Sequence, residues 1–210
     1  MELEGKNFKA IVFDYDGVIK ISPGLGKGLL EDIAASISVP LDDFRNAYFK
    51  TNHLSNVENM PWDQMILRIV SSFDNSEESK REVLSIIHDF RSKSKLNTEL
   101  LALFPKIRRK NLTLAIFSNN TSALREELRS NRVLELVDDV VISGEIGFQK
   151  PSVESFDALF SQLNVRSKEV VFIDDTPKSL ETASVIGYTP ILFENNEQLR
   201  SDLHKLGIIL

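Results

Sequence analysis

Downstream of about residue 97 the sequence alternates short apolar runs with helix-patterned stretches, and few folds accept that alternation. Strand-like runs fall at 112–117, 140–142, 170–173 and 190–193. Helix patterns lie near 97–110, 121–131, 152–163 and 177–186, with one more at the C-terminal end. Unbroken apolar runs of this kind are buried on both faces, as in a parallel sheet. The expected fold class is α/β, a doubly wound parallel sheet. Ala10–Phe13 is a further run of the same type and joins that sheet.

Between this first strand and the rest lies a different texture. From about 24 to 95 the pattern is helical throughout. Leu29, Leu30, Ile33, Ala34 and Ile37 make one apolar face; Phe44, Ala47 and Tyr48 make a second. Met65, Ile66, Ile69 and Val70 make a third, and Val83, Ile86, Ile87 and Phe90 a fourth. Pro40, Pro61 and Asp74-Asn75-Ser76 separate them. The expectation is a small inserted helical bundle over 20–95, with the core formed by 1–19 and 96–210. Gly24-Leu25-Gly26-Lys27-Gly28 lacks the ending of a phosphate loop and reads as a hinge into the insert. Hinges are expected near 19–28 and 93–97.

The strand at Ala10–Phe13 ends in Asp14-Tyr15-Asp16-Gly17. Ligands of open α/β sheets bind at the carboxyl ends of the strands. Two carboxylates about 4 Å apart repel by roughly 4 kcal/mol at an effective dielectric of about 20. A divalent cation offsets that repulsion, and an all-oxygen donor set suits magnesium. Other strand ends are also polar: Ser118-Asn119-Asn120-Thr121 after the second, Lys150-Pro151 in the loop after the third, and Asp174-Asp175-Thr176-Pro177 after the fourth. In a parallel sheet these ends share one edge. Together they supply a nucleophile, an acid or base, hydroxyl and amide donors, a cation and metal ligands, an inventory suited to phosphoryl transfer.

The set Asp14-Tyr15-Asp16-Gly17-Val18, Ser118-Asn119, Lys150-Pro151 and Ile173-Asp174-Asp175 resembles, in order, the motifs of the haloacid dehalogenase-like hydrolase superfamily. The resemblance covers essentially the whole chain and implies a Rossmann-like core with a helical cap between the first and second motifs. It implies that Asp14 is the nucleophile, forming an aspartyl-phosphate, and that Asp16 is the acid and base, its backbone carbonyl also reaching the metal. Ser118, with the amide of Asn119, would hold phosphate oxygens, and Lys150 would neutralise nucleophile and phosphate. Asp14, Asp16, Asp174 and Asp175 would surround Mg2+, Asp175 directly or through water. Thr176 would cap a helix beginning at Pro177.

Asp16 fits phosphatases and phosphomutases of the superfamily; dehalogenases lack it. The expected activity is magnesium-dependent hydrolysis of a small phosphate monoester, such as a sugar phosphate. A sugar phosphomutase is the alternative, but the segment after Gly17 lacks the histidine expected from resemblance to beta-phosphoglucomutase. A non-catalytic binding protein on the same fold is a third reading. His53 opens the segment 53–62, which is either a solvated connection or the substrate-specificity loop that related enzymes place there.

Composition narrows the partners. The net charge of −6 and pI of about 5.2 give no support for nucleic-acid binding. With no cysteine, disulfides, thiolate metal sites and a cysteine nucleophile are excluded. No apolar stretch approaches the roughly 18 residues of a membrane span, and Met1-Glu2-Leu3-Glu4 does not look like a signal peptide. The expectation is a cytoplasmic monomer or homodimer acting on a small phosphorylated metabolite, with no nucleic-acid or membrane partner.

Overall fold

A computed structural model describes residues 7–22 and 28–209. Five parallel strands form the sheet: β1 (Ala10–Phe13), β4 (Thr113–Ser118), β5 (Asp139–Ile142), β6 (Val170–Asp174) and β7 (Thr189–Leu192), in the order β5-β4-β1-β6-β7. The short strands β2 (Lys20–Ile21) and β3 (Lys95–Leu96) pair antiparallel apart from it. β1 lies in the middle, with Phe13 level with Ile116 of β4 and Ile173 of β6. Its carboxyl end is where the strand order reverses, the place where such sheets bind ligands.

The apolar runs are continuous because both faces are covered. Ile11, Phe13, Leu114, Ile116, Val171 and Ile173 point into one core. Ala10, Val12, Ala115, Phe117, Val170 and Phe172 point into the other. The first core is closed by α6 (Thr98–Leu101), α7 (Phe104–Arg108), α8 (Leu124–Ser130) and α12 (Asn196–Lys205). The second is closed by α10 (Val153–Leu163) and α11 (Ala183–Ile186), where Phe156 stacks on Tyr188 with ring centroids 4.6 Å apart. A one-turn helix, α9 (Ser143–Ile146), follows β5.

The insert consists of α1 (Gly28–Ser36), α2 (Leu41–Thr51), α3 (His53–Asn56), α4 (Trp62–Phe73) and α5 (Glu77–Lys93). The four expected apolar faces meet in a core of their own, including Phe44, Met65, Ile66 and Val83. The expectation missed the single turn α3 and the pairing of β2 with β3 at the two ends of the insert. Of the expected hinge near 19–28, residues 23–27 lie outside the described residues.

Two helices read as continuous are broken. The 97–110 stretch splits into α6 and α7, because Pro105 cannot continue a helix but fits the first turn of a new one. The 177–186 stretch splits into a 3-10 turn at Pro177–Leu180 and then α11. Thr176 does not cap this turn with its side chain; its hydroxyl donates to Asp175 Oδ1 at 3.2 Å instead. No helix among the described residues is long and apolar enough to cross a membrane.

Candidate active site

The sheet brings the predicted residues to one edge. The Asp14 amide donates to the Ile173 carbonyl at 2.8 Å, which extends the β1–β6 ladder one residue past the strand. The chain then folds into a tight loop: the amides of Ile19 and Lys20 both donate to the Tyr15 carbonyl, and the Gly17 amide donates to the Lys20 carbonyl. Gly17 has φ of +90°, and a Cβ there would overlap the Asp175 carboxylate. A residue without a side chain is required by conformation and by space. The loop thereby carries Asp16 back over the strand end.

Lys150 occupies the centre. It is 5% exposed, and its Nζ lies 2.9 Å from Asp14 Oδ1 and 2.6 Å from Asp174 Oδ2. The ammonium also sits 5.5 Å from the Phe117 ring centroid and 5.2 Å from that of Phe172, so the aromatic core supports it from below. Asn119 fixes its backbone from both sides: Nδ2 donates to the Lys150 carbonyl at 3.0 Å, and Oδ1 accepts from the Lys150 amide at 2.8 Å. Ser118 is buried beside it at the end of β4.

The electrostatics follow from this enclosure. Burial pushes the Asp14 carboxyl up; the Lys150 ammonium pulls against it, and the nearby Asp174 adds to the push. Burial works against the Lys150 ammonium, but Asp14 and Asp174 outweigh it and its pKa rises. Asp16 is pushed up to about 6, by burial first, with Lys20 and Lys150 opposing and Glu127 reinforcing. Burial and then Asp174 raise Asp175.

Asp14, Asp174 and Asp175 each offer a carboxylate oxygen within 4.8 Å of the others, and they are the one such group among the described residues. Three hard oxygen donors with upward-pushed neighbours are chemically suited to a small divalent cation such as magnesium. The Asp16 carboxylate is outside this trio. It accepts from Asn120 Nδ2 at 3.1 Å.

The sequence reading placed Asn120 at the polar end of the second strand but without its partner, which is Asp16. It missed Glu127 of α8, which accepts from the Tyr15 hydroxyl at 2.8 Å and from Lys20 Nζ at 2.7 Å, and so ties down both ends of the Asp16 loop. A cavity of about 320 Å³ opens above the site. Asp14, Asp16, Ser118, Lys150 and Asp175 line it together with Phe49, Asn52, Gln149 and Lys178, and of these Phe49 and Lys178 are the solvent-exposed pair at its mouth. His53 does not face it. Its Nδ1 lies 3.1 Å from the Lys50 carbonyl. The segment His53 opens meets the core through other residues. Asn56 Nδ2 donates to Gln149 Oε1 at 2.9 Å, and Asn59 accepts from the Ser122 amide at 2.8 Å and donates to the Gly144 carbonyl.

Carboxylates, a buried ammonium and a hydroxyl line one cavity at the carboxyl edge of a parallel sheet, which makes this the candidate active site. The chain belongs to the haloacid dehalogenase-like hydrolase family, whose model matches residues 11–192. Phosphatase MT3486 of Mycobacterium tuberculosis is 24% identical over 97% of both chains. Flavin mononucleotide hydrolase 1 of Arabidopsis thaliana is 37% identical over 30% of this chain and 25% of its own. Among solved structures, a family enzyme from Bacteroides thetaiotaomicron has a TM-score of 0.70 at 16% identity, covering 92% of this chain and 98% of its own. The same enzyme solved with magnesium and inorganic phosphate has a TM-score of 0.67 at 16% identity, covering 91% and 98%. The expected fold and phosphoric monoester hydrolase class agree with these relatives, and the expected magnesium agrees with that complex.

Proposed function

We propose that this protein is a magnesium-dependent phosphatase of small phosphate monoesters, working through an aspartyl-phosphate on Asp14. The observation that carries the reading is the buried Lys150 ammonium shared by Asp14 and Asp174, at the base of a cavity that also holds Asp16, Ser118 and Asp175.

Lys150 keeps Asp14 available as a carboxylate despite its burial. An Asp14 oxygen attacks phosphorus, and the bond to the ester oxygen breaks. Asp16, with a pKa near 6, enters protonated and gives its proton to the departing alcohol. A water then attacks the aspartyl-phosphate; Asp16 takes the water's proton, phosphate leaves and Asp14 is restored. Ser118 and the Asn119 amide hold the phosphoryl oxygens. When bound by Asp14, Asp174 and Asp175, magnesium supplies positive charge against the transferring group. The phosphatase relative over the full length and the neighbour crystallised with magnesium and phosphate support this reading.

Residues 20–95 act in this reading as a cap on a core formed by 1–19 and 96–210. Phe49 and Asn52 of the insert reach the cavity, and Asn56 and Asn59 touch the core, which supports a cap that excludes water and sorts leaving groups. The test is phosphate release from 4-nitrophenyl phosphate and a panel of small phosphate esters, with magnesium and with excess chelator. Release that depends on magnesium is expected. No release from any ester with magnesium present overturns the proposal.

A further inference from the structure

The mouth of the cavity holds a pair that the chemistry above does not use. Phe49, at the end of α2, is 61% exposed, whereas the aromatic rings of the two sheet cores are buried. The Tyr48 ring packs edge-on against it with centroids 5.5 Å apart and holds it in place. Across from it, Lys178 of the turn after β6 sets its Nζ 6.0 Å from the Phe49 ring centroid. Among the described residues Lys150 and Lys178 are the two cations lining the cavity, and Lys150 is committed to two carboxylates. Lys178 has no carboxylate partner among the described residues. An apolar ring and an uncommitted ammonium therefore face the part of a substrate that lies beyond the phosphorus.

We infer that Phe49 and Lys178 form a leaving-group subsite selecting phosphate esters of small hydroxy acids, with Lys178 pairing the substrate's carboxylate and Phe49 covering its carbon chain. This rests on the phosphatase reading for its place in turnover. A carboxylate fits better than a second phosphate. A phosphate carries about two negative charges at neutral pH and presents three acceptor oxygens, more than one lysine answers. The site is also already rich in acids, and its volume is at the small end of ligand pockets. A flat aromatic leaving group would need the face of Phe49 that Lys178 overhangs. A lysine is a flexible point charge and adapts to carboxylates at varied reach.

Non-hydrolysable phosphonates test the subsite without requiring turnover. The parent chain and Lys178→Met are titrated calorimetrically, with magnesium, against 3-phosphonopropionate, 3-hydroxypropylphosphonate and benzylphosphonate. The parent is expected to bind the acid-tailed ligand about fivefold tighter than the hydroxyl-tailed one, the scale of one exposed ion pair. Lys178→Met erases that preference, and added salt shrinks it in the parent. Equal affinity in the parent, a preference that survives Lys178→Met, tighter binding of benzylphosphonate, or binding of none of the three overturns the inference. Phosphate release from the ester panel, with phosphoglycolate and 2-hydroxyethyl phosphate included, is measured separately. Absent turnover of every ester removes the phosphatase reading, while the phosphonate preference still decides the subsite.

Discussion

On the sheet side of the cavity Lys150 is 5% exposed and bound to two carboxylates, while on the insert side Phe49 is 61% exposed and held by ring contacts alone. The sheet side fixes its groups through several independent restraints. Asn119 holds the Lys150 backbone, Asn120 holds Asp16, and Gly17 gives way to Asp175. The insert side depends on helices that pack around a separate core and meet the sheet domain through a few amides. Bond-making groups need positions held to a fraction of an ångström, and a rigid sheet supplies them. Groups that sort substrates tolerate more play, and a separately packed insert can vary them without disturbing the reacting centre.

The largest expected effect on this contrast is Asp14→Asn. It lowers magnesium-dependent phosphate release by more than about 10⁴-fold, because in the proposed mechanism Asp14 supplies the oxygen that forms the covalent intermediate. Circular dichroism should show the fold retained. Near-parent turnover in this variant would break the assignment of chemistry to the sheet side. Asp16→Asn comes next, with a loss of about 10²- to 10⁴-fold. In the proposed mechanism Asp16 enters protonated, so kcat/KM of the parent is expected to fall as pH rises through about 6. A bound cation nearby favours the carboxylate and moves that limb to lower pH, not higher. A pH–rate profile checks both points, and the limb should vanish in the variant.

A third change separates the two cores. Ile66→Ala removes a fully buried side chain of the insert and costs about 2–5 kcal/mol there. Hydrogen exchange should speed up across α4 and α5 while β4 keeps its protection. Equal loss in both would mean the two cores unfold as one. The smallest effect concerns the far end of the sheet. Arg166 chiefly, with Lys9, lowers Glu169 to about 2. A depressed carboxyl stabilises fully above its ordinary pKa of about 4.3 and loses that contribution as pH falls toward the folded value. Between about pH 4 and pH 2 the parent should therefore lose more stability than Glu169→Gln, read from urea midpoints.

The strands and the acids at their ends were legible because a doubly buried strand and a strand-end carboxylate are both local patterns. The insert's helices were legible for the same reason, through their 3.6-residue stripes. The breaks at Pro105 and after Leu180 lay inside stretches whose apolar spacing stayed helical, so periodicity concealed them. The partners of Asn120, Glu127, Phe49 and Lys178 were not legible. Each acts on a partner that only the folded chain brings near: Asn120 reaches Asp16 because β4 lies beside β1, and Phe49 meets Lys178 because the insert folds back over β6. Residue type can mark a candidate, but it does not say which distant neighbour it will serve.

The pairing of β2 with β3 places Ile21 opposite Lys95, so the chain leaves the sheet domain and returns to it at adjacent points. To the polymer this makes the whole insert one closed loop. The entropy of closing a loop grows only with the logarithm of its length, about 0.6 kcal/mol for each doubling. The sheet domain is accordingly almost indifferent to how much chain is spliced between those two strands, and helices could be lengthened, exchanged or replaced by a short turn at little thermodynamic consequence to the strands beneath.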